Sequence, residues 1–248
     1  MSAAGYGLLI GNLGPGAHKP AQVLDIVQAG QVDGVLLLNG NVPRDAERSL
    51  DRMDVPLVAI CEAIPGVTFP QVEVQNREAA RQAAELLIGL GHRRVAYLSG
   101  PAGNILEAER FGGFCEGLAA AGIAGPVARY RGDFTFAAGG AAAEEFLRAA
   151  ERPTAVFAAN DEMAIGFLKT VRAAGIAVPE ALSIVGFDGI AFADYVEPML
   201  TTFRQPRRAL GNEGARLLVE AMGGHPSTAR VRMPVELLVR ASTGPLLG

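Results

Sequence analysis

Short apolar runs alternate with amphipathic stretches along nearly the whole chain. The runs are YGLLIG (6–11), GVLLL (34–38), PLVAIC (56–61), QVEVQ (71–75), RVAYLSG (94–100), TAVFAA (154–159) and LSIVGFD (182–188). A strand with one wet face alternates polar and apolar residues, whereas these are mostly apolar at consecutive positions. They read as strands buried on both faces, as a parallel sheet requires. Between them the period becomes helical. Over 76–90, Ala79, Ala83, Leu86, Leu87 and Leu90 share one face, with Asn76 as the expected N-cap and Gly91 just past the end. Residues 106–121 carry the stripe Leu106, Arg110, Phe111, Phe114 and Leu118, ended by Gly122. In 161–174 Met163, Phe167 and Val171 face inward, and 206–222 opens on Pro206 and closes on Gly223 and Gly224. Strand, helix and strand repeated this often predict an α/β fold with parallel sheets. About ten strands suit two smaller sheets better than one. We therefore expect two doubly wound lobes with a ligand cleft between them, and ligands in such folds sit outside the carboxyl ends of the strands.

Composition removes several function classes. Half of the 248 residues are hydrophobic and the formal net charge is −4, which excludes disorder. With 26 acidic against 22 basic residues, the chain has no basic nucleic-acid footprint. No apolar stretch is long enough to span a membrane, and no basic region precedes the first apolar run, so no secretory signal is expected. Cys61 and Cys115 make neither a disulfide framework nor a metal ladder, so a cytoplasmic location is the expectation. His18, His92 and His225 are scattered without metal-ligand spacing. There is no nucleophile elbow, and the glycines of GNLGPGAHK (11–19) are wrongly spaced for a phosphate or dinucleotide loop, so that stretch reads as a connection. Asp161, Glu162 and Asp188 make a thin case for acid–base chemistry. No enzyme, metal or cofactor is expected.

From about residue 56 onward the chain resembles the effector-binding domain of LacI/GalR-type bacterial transcription regulators. The phrases that carry the resemblance are ELLIGLGHRRVAYLSGP (85–101), ERFGGFCEGLAAAGI (109–123), GDFTFAAG (132–139), the long stretch from Pro153 to Gly189 containing FAANDEMAIG, LTTFRQP (200–206) and MPVELLVRAST (233–243). Each is weak alone; in this order and spacing they are specific. The resemblance implies two lobes of the periplasmic-binding-protein type I kind joined by crossovers near Val74–Asn76, Arg204–Pro206 and Met233–Pro234. The N-terminal lobe would comprise 1–74 plus 206–233, and the C-terminal lobe 75–205 plus 234–248. The chain departs from the family's pattern at its start. No helix-turn-helix headpiece is visible, and the family's first strand and helix have no counterpart. A misplaced start, a truncation and a lobe built without that unit all fit. The resemblance further implies a small polar effector, most of all a sugar, with nucleobases as relatives' alternative, a homodimer, and contact with operator DNA only through the missing headpiece. The alternative is a periplasmic sugar-binding protein of a transporter, which needs an export signal.

Five residues are candidates for holding the effector. Arg110 interrupts an otherwise apolar stripe. It could snorkel to solvent or pair with Glu107, or aim a forked donor into a cleft, and the family's R-x-x-G-F pattern favours the latter. Asn160 and Asp161 follow the run AVFAA, where one of them must cap the next helix. The resemblance gives Asn160 to the ligand and the cap to Asp161. Asp188 ends a strand, where a carboxylate can accept adjacent sugar hydroxyls. Phe134 matches the family's stacking aromatic, while Phe136 is expected in the core. Gln205, at the second crossover, is a weaker candidate, and Phe187 and Asn76 weaker still.

Overall fold

The computed structural model describes residues 5–11 and 19–246. Most of the GNLGPGAHK connection and His18 lie outside the described residues. The first half of the chain runs α1 (Lys19–Gln28), β1 (Val35–Leu37), β2 (Leu57–Cys61), β3 (Gln71–Val74), α2 (Asn76–Gly89), β4 (Val95–Leu98) and α3 (Ile105–Ala120). The second half runs β5 (Ala128–Tyr130), α4 (Phe136–Arg148), β6 (Ala155–Ala158), α5 (Asp161–Ala173), β7 (Ser183–Val185), β8 (Thr202–Arg204), α6 (Arg207–Met222), β9 (Arg230–Met233) and β10 (Glu236–Leu238). The chain divides into two compact units, Met1–Val74 with Pro206–Met233, and Gln75–Gln205 with Pro234–Gly248.

Unit 1 is built on a four-stranded sheet in the order β1-β2-β3-β9, parallel throughout. β2 is apolar at consecutive positions because both its faces are covered. Leu57 and Ala59 join Leu24, Leu37, Leu50 and Ile64 in one cluster, while Ile60 meets α6 at Gly214 on the other face. The apolar run 6–11 does not form the expected strand: Leu8, Leu9 and Ile10 are 68%, 63% and 82% exposed. Propensity alone does not make a strand, which needs a ladder partner, and among the described strands β1 is paired with β2 alone. Helix α1, which none of the helical patterns above covers, supplies Leu24 to the core instead.

Unit 2 carries a second parallel sheet in the order β5-β4-β6-β7, with the antiparallel pair β8 and β10 beside it. The chain leaves β4 through α3 towards β5 and leaves β6 through α5 towards β7. Right-handed crossovers in opposite directions put these helices on opposite faces. Strand order therefore reverses between β4 and β6, and it is there that doubly wound sheets open a crevice. Helix α3 lies so close to α2 that a Cβ on Gly113 would sit 1.9 Å from the Arg77 carbonyl oxygen, which fixes the helix bearing Arg110. The helix ends follow the glycine rule: Gly91, Gly122 and Gly175 all have positive φ just beyond α2, α3 and α5.

Two further expectations are corrected here. Asn76 is not the cap of α2. It is the first helical residue, Gln75 occupies the cap position, and the Asn76 side chain turns to Arg110. Phe136 is 41% exposed rather than in the core; its ring meets Phe192 edge-on at 6.3 Å, on the outer side of α4.

Candidate functional site

All five candidate residues lie in unit 2. Phe134 follows the carboxyl end of β5, Asn160 that of β6, Asp188 that of β7, and Gln205 that of β8. Arg110 comes from the second turn of α3, the helix that follows β4. Asn104 starts that helix by accepting from the amides of Leu106 and Glu107 at 2.8 and 3.2 Å, as a side-chain cap does.

Arg110 ties the group together, although it is only 2% exposed. Its Nε donates to Asn76 Oδ1 at 2.9 Å and Nη1 to the Ala159 carbonyl at 2.5 Å. Its Nη2 lies 3.5 Å from Asp188 Oδ1, and the guanidinium rests on the Phe187 ring at 3.7 Å. It neither snorkels nor pairs with Glu107. Glu107 is committed elsewhere, accepting from the Tyr97 hydroxyl, the Gly100 amide and Arg129. Burial pushes the Glu107 carboxyl above its ordinary range and the Tyr97 hydroxyl likewise.

Gln205 Nε2 donates to Asp188 Oδ1 at 2.6 Å, and the Gln205 amide to the Asp188 carbonyl at 3.3 Å. On the other side, Asn160 Nδ2 donates to the Phe134 carbonyl at 2.9 Å. The five residues thus form one connected group: Gln205 to Asp188 to Arg110, and from Arg110 through the Ala159 carbonyl to Asn160 and Phe134. Asp188 and Phe134 both have positive φ, 116° and 72°, a region that side-chain-bearing residues hold only when the surroundings over-determine it. The Phe134 ring covers Gly100 so closely that a Cβ there would be 2.4 Å from it. The Ala159 carbonyl and Gly100 carry no side-chain signal, which is why sequence reasoning did not find them.

The roles of Asn160 and Asp161 are reversed with respect to the helix. Asn160 has the extended backbone of a cap (φ −150°, ψ 169°), and its Oδ1 accepts from the Met163 amide at 3.0 Å. Asp161 is already helical and does not cap. Its carboxylate instead accepts from Ile190 N–H at 2.9 Å and Thr202 Oγ1 at 2.5 Å. Burial pushes this carboxyl up to about 7, and the charge of Asp188 adds to the rise.

The group has the chemistry of a receptor for a neutral polar molecule: a carboxylate acceptor, a forked donor, two amides and an aromatic ring at the carboxyl edge of a parallel sheet. Among the described residues no cluster of His, Cys, Asp and Glu is placed to hold a metal, and no helix is long and apolar enough to cross a membrane. A polar cavity of about 360 Å³ in unit 1 is lined by Asn41, Arg44, Ser49, Arg52 and Ile64, none of them candidate residues.

Two α/β units on parallel sheets, one carrying such a group at its strand edge, have the architecture of ligand-binding proteins of the periplasmic-binding type. The family model for the periplasmic binding protein-like domain matches residues 84–243. The HTH-type transcriptional repressor CytR of Escherichia coli strain K12 is 38% identical over 248 residues, covering 98% of this chain and 72% of that protein. The structure of the transcriptional regulator CelR–cellobiose complex superposes with a TM-score of 0.84 at 35% identity, covering 92% of this chain and 71% of the other. A LacI family transcriptional regulator from Mycobacterium smegmatis gives 0.85 at 34% identity, covering 99% and 91%. The chain belongs to the LacI family of transcriptional regulators. These relatives are transcriptional regulators.

Proposed function

We propose that this chain senses a small polar effector, a sugar or a closely related metabolite, for a LacI-type transcriptional regulator. The observation that carries the reading is the Asp188 carboxylate at the end of β7, flanked by Arg110 and Gln205. A carboxylate beside a forked donor suits adjacent hydroxyls, which both donate and accept. Phe134 offers an aromatic partner for the apolar face of a sugar ring. The CelR structure holds cellobiose, which supports a carbohydrate as the class.

The effector acts by binding one conformation of the domain more tightly than another, and by linkage that difference alters affinity for operator DNA. We assign operator contact to a helix-turn-helix segment, since a net charge of −4 gives this chain no overall attraction to DNA phosphates. A thermal-shift panel of mono- and disaccharides, polyols and nucleosides tests the reading. A ligand at about 100 times its dissociation constant stabilises the fold by about 2.7 kcal/mol, or roughly 5–10 °C for a chain of this size. A panel in which no polar metabolite moves the melt contradicts it.

The working assembly is a homodimer. Phe136, Phe192 and Tyr195 in unit 2 are 41%, 56% and 83% exposed, an aromatic surface of the composition that protein contacts use. Sedimentation equilibrium at micromolar concentration is expected to give a dimer, and Tyr195→Glu to give a monomer. A wild-type protein that stays monomeric overturns this assignment.

A further inference from the structure

We propose that Asp161 is a positioning residue for the effector site: its buried carboxylate fixes the turn that carries Asp188 and the strand that leads to Gln205. The inference rests on the reading of Asp188 as an effector-holding residue. Asp161 is fully buried at the first position of α5. Its Oδ2 takes Ile190 N–H, two residues after Asp188, and its Oδ1 takes the Thr202 hydroxyl on β8. The Thr202 hydroxyl oxygen in turn accepts from the Gly189 amide at 3.3 Å. One carboxylate thereby gathers both residues that follow Asp188 and the strand that ends one residue before Gln205. Gly186, two residues before Asp188, leaves the room this needs, for a Cβ there would lie 2.3 Å from Asp161 Oδ1.

Asp188 needs such a hold. Its φ of 116° is a region that a side-chain-bearing residue keeps only where its neighbours impose it. The Asp188 amide donates to the Phe203 carbonyl and its own carbonyl accepts from Gln205, so residues 186–189 lie alongside 201–205, and Asp161 is the side chain joined to both. An ionised carboxylate grips N–H and O–H donors more strongly than a neutral acid does. With the Asp161 carboxyl pushed up to about 7 by burial, both forms are populated around neutral pH. Protonation loosens the hold on Gly189, Ile190 and Thr202 and removes the repulsion from Asp188. Among the charged groups on the surrounding elements, Asp188 acts on Asp161 directly and Arg110 is bonded to Asp188. Arg204 is engaged by Glu236 and Asp194 by Arg240, and Glu162 follows on the same helix.

The test is amide NMR of the ligand-free protein across neutral pH, comparing wild type with Asp161→Asn. The Gly189 and Ile190 amide protons are expected to move downfield together as pH rises, with a midpoint near 7, and the Gln205 side-chain amide to follow with the same midpoint. Asp161→Asn flattens all of these. The Ile184 amide, bonded to the Ser242 carbonyl, stays fixed in both proteins. Thr202→Val, which removes one hydrogen bond that favours the charged form, is expected to raise the midpoint. Flat Gly189 and Ile190 amides in the wild type overturn the proposal, as does a titration that survives Asp161→Asn. A Gln205 resonance that ignores the transition also overturns it, because Asp161 then acts only on its own turn. If these resonances titrate as expected while no polar ligand binds the protein, the effector reading fails and with it the role for an effector site, and only the hold of Asp161 on the Asp188 turn stands.

Discussion

Arg110→Met is expected to lower the unfolding free energy by about 3–5 kcal/mol, because a buried cation is taken from two buried acceptors and from the partly exposed Asp188 carboxylate. For a chain of this size that is a fall of roughly 6–20 °C in melting temperature. Methionine refills much of the volume and keeps an apolar contact with Phe187, so the loss reads the polar groups left behind. Asn76 Oδ1 and the Ala159 carbonyl lose buried donors, and Asp188 loses its cationic neighbour. Each orphaned buried acceptor costs about 1–3 kcal/mol. Arg110→Lys keeps the charge without the fork and is expected to recover only part of the loss. Denaturant unfolding measures both variants, and a loss below about 1 kcal/mol for Arg110→Met contradicts the view of Arg110 as the group's central tie.

The fold was legible where burial acts on consecutive residues. β2, β4 and β6 are covered on both faces, and their sequences say so by having no polar alternation. Helix ends were legible because Gly91, Gly122 and Gly175 take positive φ there. The run 6–11 misled because apolar composition shows willingness to pair and not the presence of a partner strand. Phe136 misled for a similar reason, since an aromatic beside a strand-to-helix turn is drawn to the core or to another surface with equal force. Within the site, the resemblance, more than side-chain type alone, pointed to the five residues, and the structure brings them into one connected group. Which of Asn160 and Asp161 caps α5 was not readable. Both are good caps by type, and only the backbone conformation decides which of them reaches the Met163 amide. The part played by the Ala159 carbonyl had no side chain to announce it.

Asp188→Asn tests the central claim most directly. Asparagine matches the shape, tolerates positive φ better than other residues with side chains, and keeps an acceptor for Gln205 and Arg110. The negative charge offered to ligand hydroxyls is removed and one acceptor oxygen becomes a donor amide. With the ligand found by the thermal-shift panel, isothermal titration calorimetry is expected to show binding to Asp188→Asn weakened at least about 100-fold, equivalent to about 2.7 kcal/mol. The unliganded melting temperature should stay close to that of the wild type. Wild-type affinity in Asp188→Asn would place the effector away from this group of residues and contradict the account.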